Sequence, residues 1–205
     1  HYVPLLPRPW GRALARRGTR SQCSQVDALV APSQPMRDLL LGYGIATPIR
    51  IIPTGLPPDR YVRGDGERFR SAHGIPHGRP LLLYVGRVAH EKNIGFLLEM
   101  AAEAVKRCPD LLLLVAGEGP ALPALRAQAA RLGLSEAVRF TGYLDRHRDL
   151  PDCYAAADVF VFASRTETQG LVLLEAMAAG LPLVAFALIG TIDILAPRPG
   201  CRMPA

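Results

Sequence analysis

Two glutamates, Glu167 and Glu175, stand eight residues apart where an apolar run gives way to a helical pattern. The run Asp158–Phe162 predicts a buried strand, and Leu171–Ala179 predicts a helix that contains Glu175 about two turns beyond Glu167. Free amides around Gln169–Leu171 can face an anion with the help of the helix dipole, and nearby carboxylates can accept hydrogen bonds from sugar or ribose hydroxyls. Two surface charges would give the same pattern, so the spacing alone leaves both interpretations open.

A second group of candidates is basic. Gly86, Arg87 and Lys92 follow the apolar run Pro80–Val85 and precede the helical pattern Gly95–Arg107. Glycine lets the backbone approach a ligand, and two cations five residues apart on one loop can converge on a diphosphate. A solvated basic turn between strand and helix has the same composition, and spacing does not separate the two.

A third motif, Gly117-Glu-Gly119-Pro120, superficially resembles the glycine-rich fingerprint of dinucleotide-binding proteins. The third glycine is absent, Pro120 occupies the turn, and no acidic residue ends the following strand about 20 residues on, where the fingerprint has one. We therefore exclude a nicotinamide or flavin site.

All three motifs follow short apolar runs that alternate with helical patterns. Because these runs are apolar on both faces, they predict a buried parallel sheet. The runs are Pro80–Val85, Leu111–Ala116, Val138–Thr141, Asp158–Phe162 and Pro182–Phe186, and the helical patterns are Gly95–Arg107, Pro120–Leu132 and Leu171–Ala179. The alternation predicts an α/β fold with a doubly wound parallel sheet, which binds ligands at the carboxyl ends of its strands.

The first 53 residues have a different organisation. Val26–Pro32 and Pro48–Pro53 predict strands, with a helix over Gln34–Gly42 between them, and the turn-forming Pro53–Pro58 suits a linker. Two strands and one helix are too little for an independent domain. We therefore expect residues 1–53 to be the tail of a first domain and 54–205 a second domain. The loop composition after Leu195 indicates a fold incomplete at both ends.

Composition limits the remaining classes. The hydrophobic fraction of 49% suits a globular core, and 24 basic against 18 acidic residues give a net charge of +6, which favours an anionic partner. The four cysteines form no CxxC pair and have no histidine at metal-ligand spacing, which predicts reduced thiols in a cytosolic protein. No interleaved aromatics or recognition motif accompany the basic residues, so a nucleic-acid partner is not expected.

The segment from Pro80 to Ala185, about half the chain, resembles glycosyltransferase family 4, the retaining enzymes of the GT-B fold. The segments that carry the resemblance are Val85-Gly86-Arg87 with Lys92-Asn93, Ala116–Pro120, Phe140–Tyr143, Ala157–Ser164, and the E-x7-E motif from Glu167 to Glu175 followed by Ala-Met-Ala-Ala-Gly-Leu-Pro182. An ordered set of this kind is far more specific than any one motif, and it favours the functional interpretation of each.

The resemblance implies roles for individual residues. Arg87 and Lys92 would neutralise the donor diphosphate, which is electrostatic catalysis of leaving-group departure. Glu167 would hold hydroxyls of the donor sugar, and Glu175 would bind the ribose hydroxyls. The expected catalytic residues are thus Arg87, Lys92 and Glu167, and the expected donor-binding residues are Gly86, Gly117, Gly142, Tyr143, Gly170, Leu171 and Glu175.

The resemblance further implies that neither a metal nor a cofactor is required. The family needs no DxD motif, and Asp65-Gly-Glu67, the nearest approach to one here, is interpreted as a charged loop. The expected partners are a nucleotide sugar, which is the donor substrate, a lipid acceptor and an anionic membrane surface. The sequence says nothing about the oligomeric state.

The N-terminal segments narrow the resemblance to bacterial diacylglycerol glucosyltransferases and related glycolipid-forming members. These segments are His1–Pro4, Leu6–Arg20, Ala31–Ser33, Leu40–Gly44, Ile52–Gly55 and Thr166–Gly170. Leu6–Arg20 carries arginines, no acid and Trp10, which suits an anionic membrane surface at ~1 kcal/mol per basic residue. A solvated basic segment is the alternative, and Pro7 and Pro9 argue against a helix at its start.

These observations predict a retaining transfer of a hexose, glucose from UDP-glucose, to a lipid hydroxyl such as that of diacylglycerol. The protein would be cytoplasmic and peripheral on the inner face of the cell membrane. Two alternatives stay open: the acceptor is a sugar or a soluble metabolite, or the chain is a nucleotide-binding fragment without catalysis.

Overall fold

A computed structural model describes residues 9–57 and 59–195, without the side chain of Ile189. The chain divides into two compact units. The first contains His1–Gly55, Thr166–Gly170 and Ala187–Ala205, and the second contains Leu56–Arg165 and Leu171–Phe186. The sequence-based boundary near residue 54 and the assignment of domains stay predictions. The expectations for His1–Pro4 and for the segment after Leu195 lie outside the described residues.

The elements that these residues form begin with a long helix and then alternate. In chain order they are α1 (Pro9–Cys23), β1 (Leu29–Ala31), α2 (Gln34–Gly42), β2 (Ile49–Ile51), α3 (Asp59–Val62), α4 (Gly66–Ala72), β3 (Leu81–Val85), α5 (Ile94–Val105), β4 (Leu112–Ala116), α6 (Leu122–Arg131), β5 (Val138–Gly142), α7 (Asp149–Ala156), β6 (Val159–Phe162), α8 (Leu171–Ala178), β7 (Leu183–Ala185) and α9 (Ile192–Leu195). Short 3-10 turns cover His90–Lys92 and Ile189–Thr191. Among the described residues, no helix has the length and apolar character to cross a membrane.

The first unit contains a small parallel pair, β1 and β2, in which Leu29 lies opposite Ile49. Ser33 caps α2 by accepting a hydrogen bond from the amide of Met36, and proline occupies the first turn of that helix. The predicted helix over Gln34–Gly42 is therefore confirmed. The argument against a helix near Pro9 is wrong, because Pro9 is the first residue of α1, where a missing amide costs no hydrogen bond.

The second unit is built on a five-stranded parallel sheet in the order β5-β4-β3-β6-β7. Counted from β3, this is the order 3-2-1-4-5 of doubly wound nucleotide-binding sheets, in which the direction of winding reverses between β3 and β6. The predicted parallel sheet is confirmed, and each strand lies within about two residues of its predicted bounds.

The core of this unit lies in the central strands. Every residue of β4 is buried, and Leu81, Leu83 and Tyr84 of β3 have no exposed surface. Helix α5 packs against α6, while α7 packs against α3 and α4 and α3 also contacts α8. The helices α3, α4 and α7 were not predicted from the sequence, and two of them supply residues to the site described below.

Asp65 and Glu67, expected in a charged loop, belong instead to the start of α4. The Asp65 carboxylate caps this helix by accepting a hydrogen bond from the amide of Arg68 at 2.9 Å, and Glu67 lies in the first turn. A carboxylate used as an N-cap satisfies an otherwise unpaired helix amide. The interpretation of this segment as a loop is therefore wrong.

Candidate functional site

A cavity of about 480 Å³ opens in the second unit at the carboxyl ends of β3, β4 and β5 and the start of α8. Its position next to β3 corresponds to the crevice where doubly wound sheets bind their ligands. The residues that line it are Val85, Gly86, Arg87, Ala116, Gly117, Glu118, Tyr143, Leu144, Arg146, Leu150, Leu171, Val172 and Glu175. Six residues expected at the site are among them: Gly86, Arg87, Gly117, Tyr143, Leu171 and Glu175.

The glycines of this cavity form its backbone frame. The amide of Gly86 donates to the carbonyl of Ala116 at 3.0 Å, and the amide of Gly117 donates to the carbonyl of Gly142 at 2.8 Å. Gly117 has φ of 140°, and a Cβ there would lie 1.9 Å from the carbonyl oxygen of Gly86. Because only glycine permits this crossing, Gly117 has a structural reason to be present that does not depend on a ligand.

Glu175 is the buried charge of the site. Only 2% of its side chain is exposed, although it lies on the cavity wall. The Tyr154 hydroxyl donates to one carboxylate oxygen at 2.8 Å, and the Arg146 guanidinium donates to the other at 2.9 Å. Burying an ionised carboxylate is tolerated only with such partners, so these two side chains account for its presence here.

Two tyrosines surround this carboxylate. The rings of Tyr61, on α3, and Tyr154, on α7, meet edge to face with centroids 5.6 Å apart. Burial, followed by the charge of Glu175, raises the pKa of both tyrosines. The pKa of Arg146 is raised by the Tyr61 hydroxyl and by the charge of Glu175. The Tyr61 hydroxyl is buried and makes no hydrogen bond of acceptable geometry.

Arg87 brings a cation to the same cavity from the loop after β3. Its guanidinium pairs with Glu91, and 54% of the Arg87 side chain is exposed. Burial tends to raise the pKa of Glu91, but a hydrogen bond from its own amide and the charges of Arg87 and Lys92 outweigh it and lower that pKa. The guanidinium therefore already has an anionic partner, which a bound phosphate would have to replace.

Lys92 and Gly142 are not among the residues that line the cavity. Lys92 ends the 3-10 turn after β3 and is half-buried, while Gly142 ends β5 and contributes its carbonyl to the frame. The roles expected for both stay predictions. Glu118 lies on the wall next to the Tyr143 amide, which donates to its carboxylate at 3.4 Å.

Glu167 and Gly170 belong to the first unit. The carbonyl of Glu167 accepts a hydrogen bond from the amide of Gly190 at 3.0 Å, and Gly170 is buried with φ of 73°. Ser33 donates to the carbonyl of Thr168 at 2.8 Å, so the loop that carries Glu167 is tied to the start of α2. The two glutamates of the E-x7-E motif are thus divided between the units, and the role of Glu167 stays a prediction.

Four residues of the site were not assigned a role from the sequence: Glu118, Arg146, Tyr154 and Tyr61. Glu118 belongs to the Gly117-Glu-Gly119-Pro120 motif, which marks its position but indicates no function for it. Arg146 stands in a mixed-charge loop, and Tyr61 and Tyr154 lie in helices that the sequence pattern did not predict. Within residues 9–57 and 59–195, no three His, Cys, Asp or Glu side chains are grouped to hold a metal ion. That the reaction needs no metal stays a prediction.

A doubly wound parallel sheet with a cavity at the carboxyl ends of its strands defines the class of nucleotide-binding α/β proteins. The family model described as Glycosyl transferases group 1 matches residues 65–198, and the model described as Glycosyltransferase Family 4 matches residues 1–60. The chain therefore belongs to the group 1 glycosyl transferases.

Relatives and solved structures agree with this family. An alpha-monoglucosyldiacylglycerol synthase of Streptococcus pneumoniae is 36% identical over 192 residues, which cover 90% of this chain and 43% of the relative. A D-inositol 3-phosphate glycosyltransferase of Catenulispora acidiphila is 37% identical, covering 87% of this chain and 44% of its own length. The chain thus spans under half the length of these relatives.

A solved structure shows the same architecture. The pneumococcal O-GlcNAc transferase GtfA, in complex with UDP and GlcNAc, has a TM-score of 0.68 and 25% identity, covering 85% of this chain and 33% of that chain. The predicted fold class, a parallel α/β sheet of the GT-B type, is confirmed by this likeness and by the strand order.

Proposed function

We propose that this chain forms the donor site of a retaining glycosyltransferase that moves glucose from UDP-glucose to a lipid hydroxyl such as that of diacylglycerol. The observation that carries the proposal is the cavity in which Arg87 and the buried Glu175 line one space of about 480 Å³. A cation and a carboxylate in one cavity match two parts of a ribonucleoside diphosphate, its anionic diphosphate and the hydroxyls of its ribose.

The diphosphate binds next to Arg87. A guanidinium donates two parallel hydrogen bonds to phosphate oxygens, and a dianionic phosphate competes well with a carboxylate for an exposed cation. When the bond between the sugar carbon and the phosphate oxygen breaks, its electron pair goes to the leaving diphosphate. Arg87, Lys92 and the amides at the start of α8 stabilise that developing charge.

The ribose binds on Glu175. Two of the roughly four lone-pair positions of an ionised carboxylate suffice for a pair of vicinal hydroxyls. Glu167 holds hydroxyls of the transferred sugar, as in the family that the motif resembles. The choice of uridine is supported by the GtfA structure, which is a complex with UDP and GlcNAc.

A lipid acceptor is supported by the name of the pneumococcal relative, a glucosyldiacylglycerol synthase, and by the surface of α1. Trp10 and Leu14 lie one turn apart on this helix and are 65% and 64% exposed. Arg12, Arg16, Arg17 and Arg20 lie on the same helix, which has no acid. Exposed apolar side chains among arginines favour an anionic membrane surface.

A soluble acceptor is the second candidate. The relative from Catenulispora acidiphila, with a comparable identity, is named for D-inositol 3-phosphate. Transfer by the full protein to diacylglycerol in vesicles, and to a soluble inositol phosphate, separates the two candidates. Transfer that needs vesicles and falls with added salt supports the lipid acceptor, whereas transfer only to the soluble compound contradicts it.

The donor site itself is tested by calorimetric titration of UDP, GDP and ADP into this chain. We expect selective binding of UDP, which Lys92→Ala and Glu175→Ala each weaken at least about tenfold, because each removes a contact to a charged group. Arg131→Ala and Glu103→Ala are matched controls, since both side chains are exposed on helices outside the cavity. A folded chain that binds none of the three nucleotides would contradict the proposal.

The membrane surface is tested by binding to vesicles with and without anionic lipid. We expect Arg17→Gln to weaken binding to anionic vesicles about fivefold, the equivalent of ~1 kcal/mol, without an effect on neutral vesicles. Arg131→Gln, which removes an exposed charge from α6, is the control for net charge. Equal losses for both variants would contradict a specific role for α1.

A further inference from the structure

The Tyr154 side chain has a function at Glu175 that its position in the sequence does not suggest. Tyr154 lies on α7 and Glu175 on α8, so the 2.8 Å hydrogen bond between them fixes the carboxylate against a different helix. The hydroxyl has one proton, and its other contact, to the carbonyl of Val172, is much longer at 3.5 Å. The proton is therefore directed to the carboxylate.

The two donors to Glu175 differ in rigidity. Tyr154 has no exposed surface, and its ring is held between those of Tyr61 and Phe160, with centroids 5.6 and 5.9 Å away. Arg146, in contrast, lies on a loop and is 57% exposed, so it has room to move. The orientation of the carboxylate plane thus depends mainly on Tyr154.

Orientation matters because the terminal torsion of a glutamate is broad and is not fixed by the side chain itself. Tyr154 and Arg146 occupy two of the roughly four lone-pair positions of the carboxylate. The remaining positions can face the cavity only in a limited range of that torsion. A pair of vicinal hydroxyls needs both oxygens at once, and a carboxylate that rotates loses this match.

We propose that Tyr154 is a positioning residue, which holds the Glu175 carboxylate in the orientation that receives the two hydroxyls of a ribose. The inference rests on the proposed function of the cavity as a nucleotide-sugar site. Tyr154 does not touch the nucleotide, and it acts through Glu175. Its effect is therefore confined to ligands that carry the hydroxyls.

Tyr61 provides a matched control within the same cluster. It is also a buried tyrosine close to Glu175, and its ring packs on that of Tyr154, but its hydroxyl makes no hydrogen bond of acceptable geometry. Tyr61→Phe and Tyr154→Phe each remove one buried oxygen and keep the ring. They differ in whether a bond to Glu175 is lost.

The test is calorimetric titration of UDP and 2′,3′-dideoxy-UDP into the wild-type chain, Tyr154→Phe and Tyr61→Phe, with thermal unfolding of each. We expect the wild type to prefer UDP. Tyr154→Phe should weaken UDP about tenfold and 2′,3′-dideoxy-UDP less than about threefold, the loss of one hydrogen bond that orients a charged group. Tyr61→Phe should leave both affinities within about twofold of the wild type.

The ratio of the two affinities is the decisive quantity, because a general loss of structure would lower both alike. An unchanged ratio in Tyr154→Phe, or an equal fall of the ratio in Tyr61→Phe, would overturn the positioning role while leaving the nucleotide site intact. A wild type that binds UDP without preferring it to the dideoxy compound would overturn this role together with ribose recognition by Glu175. A wild type that binds neither compound would overturn the proposed function as well.

Discussion

Two arginine–glutamate pairs contribute to the wall of the same cavity, and they differ in how many of their side chains line it: both Arg146 and Glu175 do, whereas Arg87 does without Glu91. In the Arg146–Glu175 pair the carboxylate is 2% exposed and is also held by Tyr154. In the Arg87–Glu91 pair the cation is 54% exposed and the carboxylate lies outside the lining residues. One pair thus offers a fixed carboxylate to the cavity, and the other offers a cation.

The difference follows from the cost of exchanging partners. Arg87 is 54% exposed, although Glu91 is only 16% exposed. An ion pair whose cation reaches solvent contributes about 1 kcal/mol or less, so a phosphate can replace Glu91 at Arg87 at a modest cost. In the other pair the carboxylate is buried, so removing one of its donors costs more, because the buried charge keeps fewer hydrogen bonds. The cavity therefore has one side that changes partner on binding and one side that stays preorganised, as anion and hydroxyl recognition respectively require.

The largest expected effect comes from Glu175→Gln. Neutralising the buried carboxylate removes an acceptor of two ribose hydroxyls and leaves Arg146 without its anionic partner at the site, so UDP affinity should fall about 100-fold. Calorimetry of UDP binding measures this, with urea unfolding to record the accompanying change in stability. Glu103→Gln, on the exposed side of α5, is the control. An affinity near that of the wild type would contradict the distinct role of the Arg146–Glu175 pair in UDP binding.

Arg87→Ala should weaken UDP binding about tenfold, since it removes one charge-assisted contact to phosphate. Because the Arg87 side chain is 54% exposed, the free energy of unfolding should change by less than about 1 kcal/mol. Titration with UDP and with uridine separates the phosphate contact of Arg87 from the rest of the binding free energy, because uridine has no phosphate. A fall in stability as large as that of Glu175→Gln would show that both pairs are structural.

The sequence predicts those residues of the site whose motif directly follows a strand or enters a helix. The strand β4 is predicted over Leu111–Ala116 because this run is apolar on both faces, and Arg87 and Glu175 are found because their motifs immediately follow or enter regular elements. Such local patterns locate the carboxyl ends of parallel strands, and with them most of the cavity wall.

The contacts between elements were not visible in the sequence. Helix α7 has six of its eight residues buried and contains Pro151, so it lacks the one-sided apolar stripe of a surface helix. Helix α3 has four residues, which is too short for a helical repeat of apolar residues to show in the sequence. Tyr154 and Tyr61 lie on these helices, and their relation to Glu175 arises only when α3, α7 and α8 pack together.

Glu91→Gln tests the exchangeable pair in the opposite direction. Replacing the carboxylate with an amide removes the charge that competes with phosphate for Arg87, so UDP affinity should rise about two- to threefold, as expected for an exposed ion pair. The same titration checks this, and the gain should shrink as salt is added. A loss of affinity would instead mean that Glu91 holds Arg87 in its binding position.

The smallest expected effect is on stability at alkaline pH. The pKa of Tyr154 is raised by burial and then by Glu175, so its contribution to stability is fully present below the unfolded pKa of about 10 and is lost as pH rises towards the folded pKa. Urea unfolding between pH 8 and pH 11 should therefore show a shallower decline for Tyr154→Phe than for the wild type. Parallel declines would indicate that this hydroxyl is not held next to a buried charge.

A crystal structure of the chain with UDP bound tests the central claim most directly. The account predicts the ribose hydroxyls within hydrogen-bond distance of Glu175, Tyr154 still bonded to that carboxylate, and the diphosphate next to Arg87 with Glu91 displaced. UDP bound elsewhere on the chain, or in this cavity without contact to Glu175, would contradict it.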